Sequence, residues 1–250
     1  MSGHNKWSTI KRKKAVVDAK RGAAFTKIIR EIMISVKTGG GDDPNSNPRL
    51  RTAILKAKEV NMPIDNIDRA IAKAAGKLEG QVYEEGRYEG YGPGGVAVMV
   101  DVITDNKNRT MPEIRTIFGK NGGNMGESGC VGFMFDKKGI ITIEAGQTDE
   151  DSVIEMLLDF DVEDVKTEDG AITITMNPDS FNAVYDAVKA KNLKTSYAET
   201  TYVPQSTVTL DERKAETCLK LIDALDDHDD VQNVYSNYDI SDEIMAKLQG

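Results

Sequence analysis

The stretch from Gly139 to Val203 constrains the fold more tightly than any other part of the chain. "GIITIE" (139–144) reads as a strand, and Thr148–Phe160 as a helix capped by Thr148 with Asp149 and Glu150 in its first turn, where the helix macrodipole favours carboxylates. "VEDVKT" and "AITITM" form a hairpin turning at "EDG" (168–170). "NPDSFNAVYDAVKA" then starts on an Asn177 cap and Pro178, with Phe181, Val184, Tyr185 and Val188 on one face, before "KTSYAETTYV" returns as a strand. The order βαββαβ is that of a ferredoxin-like domain.

The flanks do not close on themselves. "GVAVMVDVIT" (95–104) reads as a strand, "TMPE" (110–113) as a capping box opening a helix with Ile114, Ile117 and Phe118 inward, and "CVGFMF" (130–135) as a further strand. After residue 205 come "TVTL", a helix over 211–226 with Ala215, Cys218, Leu219, Ile222 and Leu225 inward, and a strand near "DVQNVY". Each half lacks partners alone, so 81–135 and 206–250 are expected to form one α/β domain into which 136–205 is inserted. Upstream, 15–38, about 48–59 and 63–75 have helical apolar spacing, carried by Phe25, Ile28, Ile29, Ile32 and Val36, by Leu50, Ala53, Ile54 and Ala57, and by Ile64, Ile67, Ile71 and Ala74. Residues 1–80 therefore read as a small helical domain with a basic tail, and the expected class is α+β multidomain.

Charge is divided between these parts. Residues 1–80 hold 17 Lys or Arg against 8 Asp or Glu, whereas 81–250 hold 15 against 33, so the net charge of −9 hides a basic module on an acidic body. That pattern points one end at a polyanion and keeps the rest off it. Lys13, Lys20 and Lys27 recur every seven residues, opposite the isoleucine stripe, with Arg30 beside them, a row suited to a phosphate backbone. Lys6, Lys11, Arg12 and Lys14 extend it. Trp7, the only tryptophan, has a ring able to stack on an unpaired base or to pack onto the helices.

Other motifs read more plainly. "EGYGPGGVAV" (89–98) precedes a strand instead of following one, so it is a tight turn feeding an edge of the sheet and not a phosphate loop, with Tyr91 at its tip as a partner contact. Asn106, Asn108 and Arg109 sit at a strand's C-terminal end, where they can hold a phosphate or simply cap the next helix. The acidic run around His228 reads as a turn, without the spacing of a metal loop, and His4 has no ligating neighbours. Cys130 and Cys218 are too few for a disulfide or zinc framework and are expected to be buried and inert. No nucleophile–base pairing or selected carboxylate pair is evident, so no catalytic residue, metal or cofactor is assigned. No apolar run follows the basic start and none approaches a membrane span, from which a cytoplasmic location is expected.

"GHNKWSTIKRKKAVVDAKRGAAFTKIIREI", "MPIDNIDRAIAKAAG", "YEGYGPGGVAV", "TDNKNRTMPEIR", "GCVGFMF" and "DHDDVQNVYSNYDI", in this order along essentially the whole chain, resemble the YebC-type family of regulatory proteins, whose eukaryotic relatives act as mitochondrial translational activators. The resemblance implies a helical domain and two α/β domains, one inserted in the other. It also implies either DNA-binding transcriptional regulation or a translation factor that binds the ribosome and relieves stalling, notably at proline runs. The contact segment it implies is His4, Lys6, Trp7, Lys11, Lys13, Lys20 and Lys27. A flexible basic tail with one stackable ring suits folded RNA better than duplex DNA, and no dimerising stripe or helix-turn-helix pair is evident, so a monomeric, non-enzymatic factor acting on ribosomal or other RNA is expected. The alternatives are a DNA-binding regulator and an enzyme that binds a phosphorylated metabolite at residues 104–110.

Overall fold

The structure, a computed structural model, describes residues 21–79 and 81–249. Helices α1 (Arg21–Thr38), α2 (Pro48–Glu59) and α3 (Ile64–Ala74) bury Ile32, Val36, Leu50, Ala57, Ile67 and Ala70 against one another. Asn47 is fully buried between the first two: its Oδ1 accepts from Leu50 N as the cap of α2, while its Nδ2 donates to the carbonyls of Ser35 and Gly41, each at 2.8 Å. That packing explains the glycine run, because a Cβ on Gly39 would stand 2.4 Å from Asn47 Oδ1. Ile64 was expected in the core and is instead 64% exposed. It is the first residue of α3, where the buried side of the helix is supplied by Ile67 and Ala70.

Strand β1 (Glu84–Tyr91) turns through a short 3-10 segment at Pro93–Gly95 into β2 (Ala97–Thr104), and Gly94 and Gly95 both take positive φ there. The pair is antiparallel, from Glu84↔Thr104 to Tyr91↔Ala97. Helix α4 (Lys107–Lys120) and the two-residue strand β3 (Asn124–Met125) follow. Three expectations need correction. The "TMPE" capping box does not open α4, which begins four residues earlier under an Asn106 cap accepting from Arg109 N; Thr110 lies inside the helix and is buried. "CVGFMF" is not a strand but a bend and a 3-10 turn at Gly132–Met134 before a strand that starts at Phe135. The glycine turn feeds an interior strand, not an edge, because β2 is paired on both sides, with β1 and with a later strand, Val231–Ser236.

Residues 133–207 form a compact unit of their own. Its elements are β4 (Phe135–Ile143), α5 (Glu150–Met156), β5 (Val162–Glu168), β6 (Ala171–Met176), α6 (Phe181–Ala190) and β7 (Thr195–Pro204). The sheet order β5-β6-β4-β7 with every neighbour antiparallel is the ferredoxin-like arrangement expected from the sequence. Ile141, Ile143, Ile172, Ile174 and Met176 face Val153, Leu157, Val184 and Val188 of the helical layer. Helix α5 is shorter than expected, capped by Asp149 and not Thr148, and ends at Met156. The first and last strands begin and finish side by side, at Phe135↔Pro204.

The other unit is completed by β8 (Val208–Thr209), α7 (Glu212–Asp226), β9 (Val231–Ser236), β10 (Tyr238–Asp239) and α8 (Asp242–Gln249). Strand β9 pairs antiparallel with β2, giving the order β3-β1-β2-β9, and β8 pairs with β10. Val98, Val100 and Val102 of β2 pack with Ile114 and Phe118 of α4 and with the five inward residues expected on α7. Each Val, Leu, Ile or Phe among them removed from water contributes roughly 1.5–3 kcal/mol. Cys218 is in this core, but Cys130 is only partly buried. Burial still pushes the Cys130 thiol up, and the nearby Glu89 carboxylate adds to the effect. Among the described residues no helix is long and apolar enough to cross a membrane.

Candidate nucleic-acid interface

His4, Lys6, Trp7, Lys11, Arg12, Lys13, Lys14 and Lys20 lie outside the described residues. The two members of the basic row that are described, Lys27 and Arg30, do not stand on an open face. They lie against the turn that joins α7 to β9. Lys27 Nζ donates to the Asp226 carbonyl at 2.6 Å. Arg30 donates to the Asp229 carbonyl, pairs with Asp230 Oδ1 at 2.8 Å, and sets its guanidinium 5.6 Å from the centre of the Tyr83 ring. The helical periodicity places both residues opposite the isoleucine stripe, and a tertiary partner about two hundred residues away occupies that side.

Asp230 organises the junction. Its side chain is 2% exposed and accepts from Thr110 Oγ1 at 2.6 Å, Thr104 Oγ1 at 3.1 Å and Arg109 Nη2 at 2.7 Å, in addition to Arg30. Burial opposes its charge, but Thr110, Arg109, Arg30 and Thr104 together hold the carboxyl below its ordinary range. Local sequence supplies the geometry: Thr104 ends β2, Asn106 caps α4, and Thr110 stands one turn into the helix. His228 braces the same turn. Its Nδ1 accepts from Asp230 N at 3.2 Å, so Nε2 carries the proton towards Glu113 Oε2 at 3.0 Å. An open cleft of about 710 Å³ lies here, lined by Arg30, Arg109, Glu113, Thr116, His228 and Asp230 among others.

The remaining candidates divide. Asn106 does capping duty, and Arg109 is engaged with Asp230 and Asp105. Asn108 is exposed. Tyr91 is 40% exposed and its hydroxyl donates to the Cys130 carbonyl at 3.1 Å. That carbonyl belongs to a loop clipped by Glu89, whose carboxylate accepts from Gly129, Val131 and Gly132 N–H groups at 2.7 to 3.0 Å. The run around His228 is an acidic turn, and among the described residues no group of His, Cys, Asp and Glu could hold a metal ion. The structural importance of Asp230, and of Arg49 bridging Glu31 to Glu85, was not evident in sequence, because each depends on partners distant in the chain. The one available signal was the density of Asp around His228.

A basic helical bundle docked through the nearly buried Arg30–Asp230 pair onto an acidic α/β body, with a ferredoxin-like unit inserted in that body, defines a multidomain α+β protein with no evident catalytic constellation among its described residues. The chain belongs to the TACO1/YebC family: the family's N-terminal domain matches residues 5–77, and its second and third domains match residues 83–238. A probable transcriptional regulatory protein of Trichlorobacter lovleyi is 58% identical over 99% of this chain and 100% of its own length. One of the same name from Syntrophus aciditrophicus is 55% identical over 99% of both. The crystal structure of a conserved hypothetical protein from Aquifex aeolicus, 46% identical, aligns over 92% of this chain and 94% of its own with a TM-score of 0.80.

Proposed function

We propose that this protein is a non-enzymatic regulator of gene expression that works by binding nucleic acid through its basic N-terminal module. The observation that carries the reading is the charge division, 17 Lys or Arg against 8 Asp or Glu in residues 1–80 and 15 against 33 beyond. The names of the relatives agree with regulation of gene expression. Residues 6–20 are the contact segment, and Lys27 and Arg30 anchor α1 to the acidic body instead of meeting the ligand.

Folded RNA, and the ribosome in particular, is the favoured target, with relief of stalling as the activity. Duplex reading needs a helix whose outer face tolerates the major groove. Helix α3 follows α2 after a four-residue turn but points Asp65 and Asp68 outward, which phosphates would repel. The relatives' names favour the second reading, a DNA-binding transcriptional regulator. Co-sedimentation with purified ribosomes at two salt concentrations, beside a duplex DNA titration in the same buffers, separates them. Binding that survives moderate salt and disappears in Lys13→Glu/Lys20→Glu supports the translation reading. Tight, sequence-dependent DNA binding with indifference to ribosomes supports the transcription reading.

A further inference from the structure

Helix α2 breaks a local electrostatic rule. Helix N-termini favour carboxylates and disfavour cations, yet the first turn of α2 holds no acid and carries Arg49 and Arg51. Arg49 is accounted for: Glu31 accepts from its Nε at 2.8 Å and Glu85 from its Nη2 at 2.6 Å. Burial disfavours its charge, but these two carboxylates hold its protonation more firmly than usual. Arg51 has no such partner. Among the described residues neither Arg51 nor Lys58 forms an ion pair, and both side chains are exposed. Between them stands Leu55, 51% exposed on a helix whose buried side is already filled by Leu50, Ala53 and Ala57.

The spacing 51, 55, 58 is i, i+4, i+7, so the three side chains share one stripe about two turns long on the solvent face. A cation at each end, about 10 Å apart along the axis, and an aliphatic side chain between them suit a sugar–phosphate chain, with guanidinium and ammonium on separate phosphates and Leu55 against sugar or base. A cation left unpaired at a helix N-terminus costs stability, and such local conflicts are retained where a ligand supplies the missing counter-charge.

We infer that Arg51, Leu55 and Lys58 of α2 form a second nucleic-acid contact surface, in addition to the basic residues between Lys6 and Lys20. The inference rests on the nucleic-acid reading given above. The commitment to a nucleic acid follows from charge: α2 carries four basic residues against one acidic, and it belongs to the module that holds the chain's positive excess.

The test is a fluorescence-anisotropy titration of a folded, loop-containing RNA and of a duplex DNA across a salt series, with the full chain, Arg51→Glu/Lys58→Glu, Leu55→Ser, and Lys13→Glu/Lys20→Glu. All substituted α2 positions are exposed, and circular dichroism checks that each variant stays folded. Two lost phosphate contacts should lower the magnitude of the log–log salt slope by about 1.4 on single-stranded segments or about 1.8 on duplex, and Leu55→Ser should weaken binding without altering the slope. If the full chain binds and Arg51→Glu/Lys58→Glu keeps the same affinity and slope while Lys13→Glu/Lys20→Glu does not, the α2 surface is refuted and the tail reading stands. If the full chain binds neither nucleic acid at any salt, both readings fall together.

Discussion

Replacing Asp230 with alanine should be the most damaging single change at the junction between the basic bundle and the acidic body. The carboxylate is 2% exposed and its partner Arg30 12% exposed, so removing it strands a nearly buried guanidinium beside two hydroxyls that lose their charged acceptor. Breaking a buried pair from one side costs about 3–5 kcal/mol. Arg109 adds little, being 43% exposed and also paired with Asp105. For a chain of this size the loss corresponds to a melting temperature lower by roughly 6–20 °C. Urea unfolding followed by circular dichroism measures it, and a cycle with Arg30→Met isolates the pair, because the double variant should lose less than the two single losses combined. The pH dependence has a fixed sign. The carboxyl titrates below its ordinary range when folded, so its contribution is present above the unfolded value and is lost as pH falls through the folded one. The gap between wild type and Asp230→Asn should therefore narrow on acidification below about pH 4. An Asp230→Ala variant within about 0.5 kcal/mol of wild type at pH 7, or a gap that widens in acid, would refute the reasoning.

Three further outcomes are expected. Glu89→Gln should destabilise by about 1–3 kcal/mol and raise amide exchange at Gly129, Val131 and Gly132, because an amide cannot accept from three N–H groups as a carboxylate does. Gly90→Ala should cost about 1–3 kcal/mol in thermal unfolding, since a Cβ there would stand 2.5 Å from the Asn124 carbonyl oxygen and 2.9 Å from the Phe118 ring. Trp7→Ala should weaken binding to unpaired RNA by about 1–3 kcal/mol if the ring stacks on a base, and leave affinity unchanged if it only packs.

The ferredoxin-like unit was legible because its elements declare themselves locally: two-residue alternation in Ile141, Ile143, Ile172 and Ile174, a cap at Asn177, and Asp169 and Gly170 at positive φ in the hairpin; only the cap of α5 was misplaced by one residue, at Thr148 instead of Asp149. Strand β1 was not, because "EEGRYEGY" has no apolar alternation of its own and is held by register on β2, with Arg87 opposite Asp101 at 2.7 Å. The Thr110–Glu113 pattern has the spacing of a capping box, yet Asn106 caps first, and Thr110 is free to serve the buried carboxylate of Asp230. Charge as a bulk property was readable along the chain. Which cations are consumed internally was not, since Lys27 and Arg30 meet partners that no local pattern brings near. Arg51 and Lys58 carry the opposite lesson: they look ordinary in sequence, and their partners' absence among the described residues appears only once the helix is folded.

The pairing of Phe135 with Pro204 has a kinetic consequence. While residues 133–207 are unfolded, joining the halves of the α/β sheet means closing a long, floppy loop. Once that unit has folded, its two ends are already neighbours, and the remaining closure is that of a short tether, easier by about 2–3 kcal/mol on simple chain statistics. A folded insert therefore lowers the chain-entropy cost of bringing the two halves of the surrounding sheet together. Its replacement by a two- or three-residue linker between Gly132 and Val208 should preserve that advantage, whereas a flexible linker of equal length should slow assembly of β9 onto β2.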